Sequence, residues 1–73
     1  MKRMKTRYVA SYETSNGTRN SAPFEYTNVA EAVARIREIA LGECFAGERA
    51  HWAVNDFSSG RLVADGTVSN KPA

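Results

Sequence analysis

A single cysteine, Cys44, and a single histidine, His51, stand among the 73 residues of this chain. One thiol cannot close an internal disulfide, which points to a reducing, cytoplasmic setting unless Cys44 pairs between chains. One histidine and one cysteine fall short of the three or four ligands that zinc requires, so neither a metal nor another cofactor is expected. No stretch approaches the roughly 20 apolar residues of a membrane span, which removes a membrane partner. The opening MKRMKTR imitates the basic start of a signal peptide, but YVASYETSNG follows it in place of an apolar run, so secretion is rejected. Phosphate-cradling loops are missing as well: ECFAGERA and SSGRL match neither a P-loop nor a dinucleotide fingerprint.

Length is also scarce. A chain of 73 residues makes one domain, 1–73, near the lower limit for folding without staples, with a net stability of about 3–5 kcal/mol. Such a core leaves little room for a deep catalytic cleft, and dimerisation would bury more apolar surface. Charge of one sign is absent from most of the chain. Four of the ten Lys and Arg residues, Lys2, Arg3, Lys5 and Arg7, fall in the first seven positions, leaving six basic against eight acidic groups in the rest. The reading is a slightly acidic body with a basic N-terminal arm, in which residues 1–6 and the tail 69–73 (SNKPA) are expected to be flexible.

Alternation and turn chemistry are present. Tyr8, Ala10 and Tyr12 alternate with Val9, Ser11 and Glu13, the period of a half-buried strand. Asn16-Gly17 could close a two-residue turn, but that register sets apolar side chains opposite polar ones. A three-residue loop with Gly17 in the left-handed region instead pairs Tyr8 with Phe24 and Ala10 with Ala22. Pro23 cannot donate to a ladder and marks the second strand as an edge.

A helix follows in TNVAEAVARIREIALG. Asn28 and Glu31 have the spacing of a capping box. Val29, Ala32, Val33, Ile36, Ile39 and Ala40 then recur on one side, and Glu31, Arg35 and Glu38 lie opposite. Glu31 and Arg35 stand four apart in the favourable order. Gly42 occupies the place of a left-handed C-terminal cap.

The stretch HWAVNDFSSGRLVADG repeats the form of the first hairpin, with Gly60 third in SSG. The same three-residue loop gathers Trp52, Val54, Leu62, Ala64 and Val68 on one face and turns His51, Asn55 and Asp65 to the other. The order is ββαββ, an α+β fold in which two hairpins form a four-stranded sheet and one helix packs on one face. An edge second strand suits central, parallel first and last strands, as in β-grasp folds; an entirely antiparallel sheet is the alternative. The uncovered face then carries Val9, Ser11, Pro23, Glu25, Ala53, Phe57 and Val63, more apolar than solvent alone requires.

Chemistry finds few footholds in this pattern. His51 is the only side chain that ordinarily titrates near neutral pH, with Asp65, Glu25 or Cys44 as partners. Nucleophilic catalysis further needs an orienting group and oxyanion donors, and no such motif is present. His51 therefore reads as a surface strand residue and Cys44 as a small buried one beside Phe45, with Arg49 the only nearby positive charge. The chain is read as non-enzymatic, with no catalytic residues.

What remains suits binding. The arm could lie along nucleic-acid phosphates or an acidic protein, and Phe57 with Arg61 is the one basic–aromatic pair of the kind that single-strand binders interleave. Arg35 and Arg37 belong to a charged helix surface. An open sheet face or an edge strand could also serve a homodimer.

In size, single-domain α+β order and lack of catalytic motifs, over nearly its whole length, the chain is similar to anti-CRISPR proteins among the small proteins of bacteriophages and plasmids. That resemblance implies an inhibitor in the bacterial host's cytoplasm that binds a CRISPR ribonucleoprotein stoichiometrically and blocks target DNA or nuclease recruitment. No functional residue carries over, because such proteins share no motif. Many are strongly acidic DNA mimics, and this chain departs from that pattern, which leaves steric blocking. The contact residues under this reading come from Lys2, Arg3, Lys5, Arg7, Phe57, Arg61, Arg35 and Arg37.

Overall fold

Ser15, Asn16 and Gly17 close the first hairpin of the computed structural model, which describes residues 6–22 and 24–70. Gly17 takes φ +97°, and the Asn16 side-chain oxygen accepts the Thr18 N–H at 3.0 Å. The three-residue loop sets Ser11 opposite Ser21, Tyr12 opposite Asn20 and Glu13 opposite Arg19. It joins β1 (Tyr8–Thr14) to the short β2 (Arg19–Ser21). Ala22 donates to the Ala10 carbonyl in the expected register. Tyr8, however, meets Tyr26 rather than Phe24. The chain slips by two residues between Ala22 and Tyr26, across Pro23, which lies outside the described residues.

The helix α1 (Val29–Gly42) starts as its cap predicts: Asn28 is extended, and its side chain accepts the Glu31 N–H at 3.2 Å. Its C-terminus differs from expectation. Gly42 remains helical, Glu43 caps with right-handed geometry, and the left-handed glycine comes later, at Gly47. Arg35 pairs with Glu38 at 2.8 Å rather than with Glu31. Ala32, Ile36 and Ala40 are fully buried, so the predicted apolar side is the side that packs.

Two longer strands complete the sheet, β3 (Arg49–Asp56) and β4 (Leu62–Ser69). The strand order is β2-β1-β3-β4, and every neighbouring pair is antiparallel. The β-grasp arrangement is therefore corrected: β1 lies beside β3, and β4 is an edge. The physical reason is burial. Ala50, Trp52 and Val54 of β3 are all buried, whereas Ala64, Gly66 and Val68 of β4 are only half-buried, so the strand with the larger apolar load takes the centre.

The second hairpin turns through four residues, Phe57–Gly60, inside an Asp56–Arg61 pair, not through three. One Asp56 carboxylate oxygen accepts the Ser58 hydroxyl and the N–H groups of Ser58 and Ser59, an Asx-type turn that recruits Phe57 into the loop. A four-residue loop alone would place Val63 opposite Val54. A β-bulge at Val63 restores the pairing of Val54 with Ala64, Trp52 with Gly66 and Ala50 with Val68. Leu62 is the residue displaced: it pairs with Asn55, leaves the core side and is 53 % exposed.

The core is one layer between α1 and the sheet: Ala10, Tyr12, Trp52 and Val54 from the strands, Ala32, Ile36 and Ala40 from the helix, and Cys44 and Tyr26 from the loops. The tail is held further than expected. Ser69 closes β4, and Asn70 donates its N–H to Glu48 and its side-chain amide to the Cys44 carbonyl. The remainder of that expectation, 71–73, lies outside the described residues.

Candidate functional site on the uncovered sheet face

The alternation that aims Tyr12, Trp52 and Gly66 at the helix aims their neighbours outward. Register then aligns them across the strands. Arg19 stands opposite Glu13, Glu13 opposite His51, and His51 opposite Thr67. One step along, Ser21, Ser11, Ala53 and Asp65 form a second row. Val9, Asn55 and Leu62 form a third.

Two side-chain pairs cross the strands in the first two rows. The Arg19 guanidinium reaches Glu13 at 3.3 Å, and His51 Nε2 meets Asp65 Oδ2 at 2.9 Å on the diagonal between β3 and β4. Both pairs are solvated, so each contributes at most about 1 kcal/mol to stability. They fix side-chain directions more than they hold the fold. Beside them a shallow depression of about 200 Å³ opens between Glu13, Ser15, Arg49, His51 and Thr67.

The depression offers little shelter for a reaction. The His51 side chain is 59 % exposed and that of Asp65 48 %, so water reaches both. Cys44 is buried on the helix side of the sheet and does not approach His51. Burial raises the Cys44 thiol pKa, and the Glu48 charge raises it further, the opposite of what a reactive thiolate needs. Among the described residues no cluster of three His, Cys, Asp or Glu side chains could hold a metal. No described helix is long and apolar enough to cross a membrane.

The residues expected to make contacts are spread over three places. Lys2, Arg3 and Lys5 lie outside the described residues. Arg7 is exposed, contacts Glu25 at 3.4 Å, and accepts the Phe57 N–H through its carbonyl. Phe57, 53 % exposed, sits in the β3–β4 loop rather than on the sheet face, and Arg61 ends the same loop. Arg7, Phe57 and Arg61 thus gather at one end of the sheet. Arg35 and Arg37 occupy exposed positions of α1, which packs on the other side of the sheet from the open face. Glu13, Arg19 and Thr67 were not among the expected contacts. The Glu13–Arg19 pairing follows from the first loop's length, but their meeting with His51 depends on β1 lying next to β3.

Compared with known proteins, the chain matches no family model, no curated protein and no solved structure.

Proposed function

We propose that this chain is a non-enzymatic protein-binding module that meets its partner through the uncovered face of the sheet. The observation that carries the reading is the cross-sheet pattern Arg19, Glu13, His51 and Asp65, flanked by Val9, Ala53 and Leu62, on the face opposite α1, which no element among the described residues covers. A guanidinium, two carboxylates and an imidazole held at fixed register on a sheet favour selectivity for a protein partner, which presents charges of both signs. A nucleic-acid backbone presents one sign only, and the two carboxylates of this face would repel it.

The specific form is the one the resemblance implies: stoichiometric inhibition of a CRISPR effector ribonucleoprotein by steric blocking. The net charge of +2 supports blocking over DNA mimicry, and the exposure of His51 and Asp65 suits contact better than turnover.

The test is a titration against a panel of CRISPR effector ribonucleoproteins, read by co-elution and by loss of target-DNA cleavage. The expected result is inhibition complete near one equivalent and a loss of at least about tenfold in affinity for Glu13→Lys/Asp65→Lys, with a native circular dichroism spectrum retained at the assay temperature. Binding to free oligonucleotides with a steep loss of affinity in salt would favour the basic arm and nucleic acid instead.

A further inference from the structure

The two edges of the sheet are unlike. One is β2, three residues long; the other is β4, eight residues long. Natural sheets blunt a long edge with charged side chains, lysine above all, with proline, a bulge or a covering element. Between Leu62 and Ser69 there is no lysine and no proline, the one charged side chain, Asp65, is engaged by His51 of β3, and the only bulge lies at the strand's beginning, at Val63. From Ala64 to Ser69 the edge is regular.

Its polar groups can be assigned. Ser15 donates to the Arg49 carbonyl and Asn70 donates to the Glu48 carbonyl. In an antiparallel ladder these two bonds turn Arg49, His51 and Ala53 toward β1, and Ala50, Trp52 and Val54 toward β4. On β4 it is then Ala64, Gly66 and Val68 that bond to β3. Asp65, Thr67 and Ser69 direct their main-chain N–H and C=O groups to the outer edge, where no strand among the described residues pairs with them.

We propose that this edge pairs antiparallel with β4 of a second copy of the chain, about a two-fold axis at Thr67, joining two four-stranded sheets into one of eight. Three features select this occupant and register. The outward set Asp65, Thr67 and Ser69 is itself symmetric about Thr67, so a two-fold there uses all three donors and all three acceptors of each strand. The same axis sets Asp65 opposite Ser69 of the other copy, a carboxylate facing a hydroxyl; an axis at Asp65 would oppose two carboxylates. On the covered side it sets Val68 opposite Gly66, so the half-buried apolar margin of each core continues into the other. Both open faces end on the same side of the joined sheet, and the pairing does not depend on what that face binds.

A strand-to-strand contact of this size lies below the standard range of stable interfaces, so the dissociation constant falls on the order of 10–100 μM. Sedimentation equilibrium from about 5 to 500 μM therefore spans the transition. The expected result is a concentration-dependent dimer that Thr67→Pro abolishes. Proline is tolerated where an edge N–H faces solvent, and a circular dichroism melt close to wild type verifies the fold. Ser69→Lys, which sets a lysine opposite Asp65 twice, tightens the dimer by roughly 2- to 30-fold, and Ser69→Asp loosens it comparably. A wild-type chain that stays monomeric up to about 500 μM overturns the proposal, as does a dimer that Thr67→Pro leaves intact. Indifference to both Ser69 variants overturns the register.

Discussion

The indole of Trp52 lies against Gly66, its cross-strand neighbour on β4. A Cβ placed at Gly66 would stand 2.6 Å from Cζ2 and 2.9 Å from Cε2 of that ring. Gly66 does not take a positive φ, so glycine is required here for space and not for backbone freedom. The missing side chain lets the largest residue of the core turn inward at 7 % exposure from the neighbouring strand.

Gly66→Ala forces the indole or β4 to move, since the ring is rigid and packed. The expected cost is about 1–3 kcal/mol, read as a lower urea midpoint with little change in slope. Gly42→Ala is the control: nothing lies within 4 Å of its Cβ position, and the residue is helical, so that variant holds or gains up to about 1 kcal/mol. Equal midpoints for Gly66→Ala and wild type would show that Trp52 does not need the space.

Asp56 should shape the acid limb of stability. The Ser58 hydroxyl, followed by the main-chain N–H of Ser59 and further contacts from the same two serines, holds its carboxyl below the ordinary range. A carboxylate with a folded pKa below its unfolded value adds stability above the unfolded pKa, near 3.9, and loses it as pH falls through the folded value. Asp56→Asn is therefore less stable than wild type at neutral pH, and the gap narrows below about pH 4. A denaturation series at several pH values checks this; a gap that is constant down to about pH 2 removes Asp56 from the turn's energetics.

Cys44 should behave as a closed thiol. It is 6 % exposed, and both burial and the Glu48 charge raise its pKa. Its reaction with a disulfide reagent at about pH 8 is expected to be roughly 100-fold slower than that of the same chain in denaturant, because opening must precede attack. Reaction at the denatured rate would place the thiol at the surface and undo the core assignment.

Much of this fold was legible along the chain, where the cause is local. The Asn28 cap and the spacing of Ala32, Ile36 and Ala40 specify α1, because capping and periodicity act within a few residues. Gly17 and the alternation from Tyr8 to Thr14 specify the first hairpin, because a slip of one residue would expose Ala10 and Tyr12. The separation of His51 and Asp65 from Trp52 and Val54 follows from the same period of two.

Other features had no local cause. An edge β2 fits a parallel β1–β4 centre as well as an antiparallel β1–β3 one, and only the joint burial of Ala50, Trp52 and Val54 against α1 separates them. The bulge at Val63 reconciles a turn organised by Asp56 with a core that requires Ala64, and neither demand is visible from the other's residues. The row from Arg19 to Asp65 exists because three strands distant in sequence share one register. Short-range geometry is written into neighbouring residues; which strands become neighbours is decided by the total apolar surface that one helix can cover.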